Sequence, residues 1–504
     1  MTKHFKLGAV LSYLSIVLNM VISLFFTPFL IKSLGDSEYG VYKVVQSFSG
    51  HLAIMSFGVA TLIVRNLVFF SETERREEKE NFLFFALVAT YSLATLIIVV
   101  GMGMFFLIDP IYSSAFTGSE LSLAKKLFIL LVVNTAVSVI GDSYSGIINA
   151  HEKFAISNGL RLTKIVLRVV VMSVLLIMGR GAFEIVLGDL FTSVIIWLVA
   201  LLYGKLVLKE KAKFHKFDKA LLVQCFTFSF AIFGQVIISQ VNQNLDNVIL
   251  GAFMGTSVVT MYSLALSLFM SFSSFVTAIG SLFTPTATKL IANDANEDEI
   301  TAFVVKPGRF QLLLSGLAIC GFALFGRNFI KIWVGEEYMQ AYFITLILIV
   351  PASISLIESV TNSVLDAMLK RLGRTLILLA MCVVNVTVSV LLIQVIGFWG
   401  AAVGTAVSFI IGEFILHNVY IQKVTKISVP KLFKGVFSKL IISIPLSAAI
   451  GFPLTFLPDT TLFFFVKVVA FTVIYVVVNY FIGLKQEEKE VVKGLFKKKR
   501  QSAV

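Results

Sequence analysis

The feature that most constrains the fold is a succession of long apolar runs, each of about 18 to 32 residues, separated by short polar connections. A helix needs about 20 mostly apolar residues to cross the hydrocarbon core of a bilayer. Fourteen runs meet this need, so the sequence predicts an all-α integral membrane protein with about 14 transmembrane helices. In order, these predicted spans 1–14 cover approximately residues 7–31, 41–64, 82–108, 124–148, 161–178, 183–203, 220–251, 256–286, 309–331, 341–368, 374–396, 398–421, 436–457 and 461–484.

Charged residues are scarce and unevenly distributed. They make up 14% of the chain, against 58% apolar residues, which excludes both a string of soluble domains and a disordered chain. The two termini and the connections on their side of the membrane contain 33 of the 42 Lys and Arg residues. The positive-inside rule therefore predicts cytoplasmic termini and an even number of spans. The same asymmetry accounts for the net charge of +13 without a nucleic-acid partner.

Weak internal similarity predicts a repeat. GDSEYGVY at 35–42 and GTSVVTMY at 255–262 share Gly, Ser and Tyr at an offset of 220 residues, and GAFEIVLGDLFT at 181–192 aligns with GFWGAAVGTAVS at 397–408. This alignment predicts two six-helix lobes followed by two added C-terminal helices. Transporters built from such repeats bind their substrate between the lobes, near the midplane of the membrane. The predicted domains are 1–215 (spans 1–6), 216–425 (spans 7–12) and 426–504 (spans 13–14 with a basic cytoplasmic tail).

Polar residues inside the predicted spans recur on single helix faces, notably in spans 4, 7 and 10. A charge at the bilayer centre costs roughly 2.5–3.5 kcal/mol, so these faces are expected to line a wet cavity or to hydrogen-bond neighbouring helices. The residues predicted to bind substrate are Arg168, Lys164, Arg161, Gln235, Ser239, Asn242, Asn134 and Asn362.

Span 5 carries a basic face, because Arg161, Lys164 and Arg168 follow one another at helical spacing. Three interpretations of Arg168 stay open. Its planar fork suits a phosphate, it can pair with a neighbouring carboxylate such as Asp142, or it can extend towards the head groups.

Buried acids are candidates for coupling transport to protons or other cations, and each also fits a structural hydrogen-bonding role. The acids within the predicted spans that could carry protons are Asp142, Asp189, Asp246, Glu358, Asp366 and Glu413, and the coupling candidates chosen from them are Asp142, Asp246, Glu358 and Asp366. Asp366 precedes Lys370 and Arg371 closely, so a position at the level of the head groups fits it as well.

No motif in the sequence indicates catalysis or a cofactor. The three cysteines show no metal-ligand spacing, and neither a phosphate-binding loop nor a zinc-protease motif occurs. We therefore expect no metal, no cofactor and no enzymatic activity. A membrane glycan polymerase or glycosyltransferase, the enzymatic alternative, usually has a large outer loop or an acidic metal-binding motif, and neither is present.

Three segments carry a resemblance to a known family: Thr27–Tyr42, Asp246–Leu268 and Gly397–Ser408. With the pattern of the whole chain, they resemble the polysaccharide branch of the multidrug/oligosaccharidyl-lipid/polysaccharide exporter superfamily, the Wzx-type flippases. The resemblance implies an alternating-access flippase that moves a polyprenyl-diphosphate-linked oligosaccharide, as for O-antigen or capsule, to the outer leaflet of a bacterial plasma membrane. It also implies a cationic cavity, and contacts with membrane lipids and with a glycan polymerase or other assembly proteins.

The main alternative within the same superfamily is a cation-coupled multidrug antiporter. The coupling acid that many drug exporters carry in span 1 is absent, since no charged residue lies between Lys6 and Lys32. Acids in spans 7 and 10 serve some drug exporters, and Asp246, Glu358 and Asp366 occupy such spans.

Overall fold

The computed structural model describes residues 3–56, 58–72, 75–216, 245–280, 283–293, 295–368, 370–425 and 427–490, and within them it contains helices and no strands. The predicted all-α class is therefore confirmed. The helices are α1 (Lys3–Gly50), α2 (Val59–Glu72), α3 (Arg76–Phe105), α4 (Ile108–Tyr112), α5 (Gly118–Ala150), α6 (Phe154–Ile177), α7 (Ala182–Leu202), α8 (Leu245–Met254), α9 (Thr256–Gly280), α10 (Thr284–Ala292), α11 (Glu297–Trp333), α12 (Gln340–Ile357), α13 (Ser359–Ala367), α14 (Arg371–Ile396), α15 (Trp399–Phe409), α16 (Asn418–Val424), α17 (Val429–Phe437), α18 (Leu440–Gly451) and α19 (Thr461–Val478).

Ten helical segments of the described chain are long and apolar enough to cross a membrane. The protein is thus a multi-pass membrane protein, while the count of 14 spans, the internal repeat and the three domain boundaries stay predictions. The ten segments are Arg76–Phe105, Gly118–Ala150, Ala182–Val207, Thr256–Thr277, Glu297–Trp333, Glu336–Ile357, Leu372–Ile396, Trp399–Val424, Val429–Phe456 and Thr461–Gly483.

The helix starts are fixed by local sequence where side chains replace missing backbone partners. At the start of α5, the Thr117 hydroxyl accepts from the Glu120 amide, and the Glu120 carboxylate accepts from the Thr117 amide at 2.8 Å. Asn296 and Glu299 make the same reciprocal bonds at the start of α11. Each pair satisfies two amides that have no partner inside the helix, so both long helices have defined origins.

The first two predicted spans are joined at a glycine. The sequence predicts a connection between spans 1 and 2, and within α1 the helix is broken at Gly35, where φ is +75° and ψ is 167°, before it resumes and runs to Gly50. A glycine adopts this left-handed conformation without the steric cost of a Cβ atom. The residues after Gly35 therefore form a second helical segment, which carries Tyr42 and Lys43 inside the first unit.

The chain divides into two compact units, residues 1–264 with 393–401, and residues 265–392 with 402–504. In the first unit, α5 is central and packs against α1, α2, α3 and α7. In the second unit, α11 is central and packs against α12, α17, α18 and α19.

Arg309 of α11 is the most buried arginine of the second unit among the described residues, with 1% of its side chain exposed. Its Nε and Nη2 lie 2.5 and 3.1 Å from the two carboxylate oxygens of Glu488. The same guanidinium donates to four backbone carbonyls at the ends of two helical segments, those of Gly435, Val436, Ser438 and Gly483. Arg309 thus joins α11 to α17, to the turn after α19 and to the C-terminal segment.

The segment that follows α7 is bound to the ends of α3 and α5 rather than extending freely. Glu210 accepts from Lys79 Nζ at 2.5 Å and contacts His151 Nε2 at 2.8 Å. Asn81 Oδ1 accepts from the backbone amide of His215 at 3.0 Å. Residues 208–216 are therefore attached to the first unit through both side chains and backbone.

This attachment predicts a pH dependence. The hydrogen bond to Glu210 raises the pKa of His151 above its usual value near 6.5. Burial opposes ionisation of Glu210, but its bonds to His151 and Lys79 outweigh this and lower its pKa. The stabilisation from protonated His151 is therefore complete below pH 6.5 and is lost as the pH rises through the raised pKa.

We expect His151→Gln to increase amide hydrogen exchange in residues 208–216 about fivefold at pH 6, which corresponds to about 1 kcal/mol. After correction for intrinsic rates, the variant and the wild type should exchange equally at pH 8.5. A difference of the same size at both pH values would show that protonated His151 does not contribute.

Candidate functional site

A network of charged and polar side chains lies between the packed helices of the first unit. It is formed by the second segment of α1 and by α5, α6 and α7, which pack against one another. Arg168 lies in the middle of α6, and its guanidinium reaches Asp189 on α7 and Tyr42 on α1. Charged groups so far from the helix ends are costly to place within a membrane, and residues of this kind usually have a functional role.

The contacts of Arg168 hold one side of its guanidinium. Nε lies 3.0 Å from Asp189 Oδ1, at ion-pair distance although the N–H is not directed at that oxygen. Nη2 donates to the Tyr42 hydroxyl at 3.4 Å, which also accepts from Gln46 at 3.3 Å. The second oxygen of Asp189 accepts from the Asn134 amide at 3.1 Å. The Arg168 side chain is 37% exposed, whereas that of Asp189 is 12% exposed, so the protein leaves part of the Arg168 side chain uncovered although its Nε is buried.

Lys43 adds a second positive charge to this network. Its Nζ lies 5.4 Å from the centre of the Tyr39 ring and 5.9 Å from that of Tyr42, which is cation–π distance. Lys43 and Arg168 are also close enough to repel each other. Among the described residues, Asp189 is the carboxylate within ion-pair distance of Arg168, and none lies within that distance of Lys43. The network therefore carries excess positive charge, which an anionic ligand can neutralise.

The basic face predicted on span 5 is present on α6, and its members have different surroundings. Arg161 is exposed near the start of the helix, whereas Lys164 is half-buried and attracts Asp142 on α5. Arg168 pairs with Asp189 instead of Asp142, the partner considered from the sequence. Asn134 is brought into the same network through Asp189.

Other predicted residues lie elsewhere. Gln235, Ser239 and Asn242 lie outside the described residues, so the face predicted on span 7 stays a prediction. Asn362 is half-buried on α13, and its Oδ1 accepts no hydrogen bond from a described residue. Asp366 lies on the same helix, and its side chain lies outside the described part of the chain.

Glu358 is the most isolated of the predicted coupling acids that the structure describes. It lies at the break between α12 and α13 and is 2% exposed. Neither of its carboxylate oxygens accepts a well-formed hydrogen bond from a described residue, although the Asn418 amide is close enough to interact. His417 is also buried nearby on the chain segment that carries Asn418. Asp246 differs, because it accepts a 2.8 Å hydrogen bond from the Tyr262 hydroxyl.

Sequence reasoning missed several members of these clusters. Lys43 and Arg374 were both counted as charges near predicted connections, yet Arg374 makes a two-pronged ion pair at 2.7 and 2.6 Å with buried Glu413. Glu413 lies in a π-helical segment, Ile410–His417, a geometry that often marks functional sites. Asp189 and Glu413 were recognised from the sequence as acids within apolar runs, but their partners Arg168 and Arg374 were not.

The chain is similar in sequence to a known family and to two bacterial membrane proteins. Residues 6–291 match the family described as "Polysaccharide biosynthesis protein". A protein of Shigella flexneri described as an O-antigen transporter is 22% identical over 404 residues, which cover 78% of this chain and 92% of that protein. The uncharacterized membrane protein EpsK of Bacillus subtilis (strain 168) is 22% identical over 452 residues, 86% of this chain and 85% of that protein.

Solved structures share the fold at low sequence identity. The inward closed conformation of the lipid II flippase MurJ has a TM-score of 0.69 at 16% identity, over 94% of this chain and 98% of that one. An inward-facing multidrug resistance MATE family transporter of the MOP superfamily has a TM-score of 0.66 at 13% identity, over 80% of this chain and 94% of that one.

The long apolar helices define a multi-pass integral membrane protein, with a charged network between them. Its fold is that of the MurJ flippase and the MATE family transporter. The chain belongs to the polysaccharide biosynthesis protein family, whose match covers more than half of its length. The resemblance to the polysaccharide branch of the exporter superfamily is thereby confirmed.

Proposed function

We propose that the protein is a flippase that translocates a polyprenyl-diphosphate-linked oligosaccharide from the inner to the outer leaflet of a bacterial plasma membrane. Membership of the polysaccharide biosynthesis family and the similarity to an O-antigen transporter support this proposal. Translocation proceeds by alternating access, with 14 spans and both termini in the cytoplasm. The protein makes and breaks no covalent bond of its substrate, which a glycan polymerase or another assembly protein then uses.

The observation that carries the proposal is the partly exposed Arg168 beside Lys43 in the middle of the first unit. A sugar diphosphate cannot enter hydrocarbon without substitutes for its lost water, because each unsatisfied polar group there costs several kcal/mol. A guanidinium fork and a nearby ammonium group supply charge-assisted hydrogen bonds to phosphate oxygens. Asp189 and Tyr42 hold Arg168 in position before the substrate arrives.

The membrane potential supports movement in the proposed direction. Carrying one elementary charge through 100 mV changes the free energy by about 2.3 kcal/mol. For a diphosphate with two negative charges and a negative cell interior, outward movement is therefore favoured by roughly twice that amount.

Deletion of the gene in its host tests the proposal. We expect the lipid-linked oligosaccharide to accumulate on the cytoplasmic leaflet and the surface glycan to disappear, with both effects reversed by the wild-type gene. Extraction of undecaprenyl-linked lipids, combined with a membrane-impermeant sugar label, measures amount and leaflet. An unchanged lipid pool with an intact surface glycan would contradict the flippase function.

The second candidate is a cation-coupled multidrug antiporter, and a specific feature favours it. Glu358 is buried without a well-formed hydrogen bond, as expected of a carboxyl group that binds and releases a cation. The fold shared with a MATE family transporter is compatible with this activity. If the protein is an antiporter, the deletion strain should become more sensitive to cationic drugs, and its amount of lipid-linked oligosaccharide should not change.

A further inference from the structure

We propose that the second unit binds the head group of an anionic phospholipid in a groove between α11, α17 and the segment after α19. The groove encloses about 450 Å³, which is in the size range of small-ligand sites. Its charged lining consists of Asp298, Lys306, Arg309, Lys431, Lys485, Glu487 and Glu488. This site is separate from the Arg168 network and does not depend on the proposed transport activity.

The charges of the groove do not cancel one another. Arg309 is neutralised by Glu488, and Lys431 pairs with Asp298 at 2.8 Å and with Glu297, outside the lining, at 3.8 Å. Lys306 and Lys485 have no carboxylate within ion-pair distance in the part of the chain that the structure describes. Glu487 is the remaining acid, so the side chains that line the groove carry four positive and three negative charges. Lysine ammonium groups on flexible stems suit a phosphate, and basic pockets beside membrane helices bind lipid head groups.

The apolar surface next to the groove indicates a lipid rather than a free phosphate. Ile441 and Ile442, at the start of α18, are 63% and 65% exposed, and Phe481 is 71% exposed just before Lys485. Phe481 lies four residues before Lys485 in the chain, and Ile441 and Ile442 follow Gly435 of the groove by six and seven residues. Acyl chains can therefore pack on the apolar residues while the phosphate enters the groove.

The short helix α17 gives the groove a rigid wall. Leu432 and Val436 are buried in the core of the second unit, while Lys431 and Lys434 on the other face are exposed. A methyl group at Gly435 would overlap the Val305 side chain, so glycine allows α17 to approach α11 closely. This amphipathic arrangement is typical of helices that lie at a membrane interface.

The test is a thermal-shift titration of the purified full-length protein with phosphatidylglycerol, with phosphatidylcholine of the same acyl chains, and with inorganic phosphate. We expect saturable stabilisation by phosphatidylglycerol alone. Since each lysine near an anionic lipid contributes about fivefold in affinity, Lys306→Gln with Lys485→Gln should weaken binding roughly 20-fold. The corresponding double arginine variant should bind as the wild type does, which shows that the loss comes from charge and not from misfolding.

Lys205→Gln with Lys423→Gln is the matched control, since both lysines are exposed and neither lines the groove nor lies on α17. Its affinity should stay within about twofold of the wild-type value. Equal weakening in this control, or no weakening in the groove variant, would overturn the site. Equal stabilisation by phosphatidylcholine or inorganic phosphate would overturn the assignment to an anionic lipid.

Discussion

Cells whose only copy of the protein carries Arg168→Ala are expected to accumulate lipid-linked oligosaccharide on the cytoplasmic leaflet, as the deletion strain does. The substitution removes the guanidinium that we propose binds the diphosphate. A hydrogen bond to a charged group contributes about 1.5–3 kcal/mol, so transport should fall at least about tenfold. Leaflet-specific quantification of the lipid at matched protein levels measures the effect.

Loss of activity in Arg168→Ala alone has two explanations, because the substitution also leaves Asp189 buried without its cation. The double variant Arg168→Ala with Asp189→Asn separates them. It removes both charges, so it should fold and accumulate as the wild type does, and it should remain inactive if Arg168 binds substrate. Recovery of transport in the double variant would show that the pair is structural only.

Arg180→Ala is the control for a general effect of losing a positive charge. Arg180 is exposed just beyond the end of α6, outside the charged network. Its replacement is expected to change transport by no more than about twofold, since exposed charges contribute little. A loss equal to that of Arg168→Ala would mean that overall charge, rather than the position of Arg168, determines activity.

The helices could be predicted from the sequence, because the thickness of a bilayer fixes how many apolar residues a span requires. The basic face of α6 could be predicted too, since helical periodicity places Arg161, Lys164 and Arg168 on one side. Periodicity does not say which neighbouring helix meets that side. Asp142 and Asp189 were therefore equally available as partners of Arg168, and the packing of α7 decides for Asp189.

Charges near the predicted connections were the hardest to interpret. Lys43 belongs to the helical segment that follows the break at Gly35, and no local pattern reveals that α1 packs against α6. Arg309 was counted as a topological charge at a span boundary. Its burial depends on Glu488, 179 residues further along the chain, and no local pattern connects the two.

Arg309→Ala is expected to cause the largest loss of stability among single substitutions of charged residues in the second unit. It leaves Glu488 buried and uncompensated, and four carbonyl groups lose their donor. Removal of one partner of a buried ion pair typically costs about 3–5 kcal/mol. The apparent melting temperature of the detergent-solubilised protein should therefore fall clearly, and Arg309→Lys should recover only part of the loss because lysine lacks the planar fork.

Lys331→Ala is the matched control, because Lys331 also lies on α11 and makes a 2.8 Å ion pair with Glu336, but both side chains are more than half exposed. An exposed pair contributes at most about 1 kcal/mol, so this variant should melt close to the wild type. The melting temperature of Glu488→Gln should lie between those of Arg309→Ala and Lys331→Ala. This variant removes the charge that compensates Arg309, while the hydrogen bonds from Arg309 to the backbone carbonyls remain. If Arg309→Ala melts no lower than Lys331→Ala, Arg309 does not hold α17 and the C-terminal segment on α11. The wall of the proposed lipid groove would then lack its anchor, so the melting experiment also tests the scaffold on which that site depends.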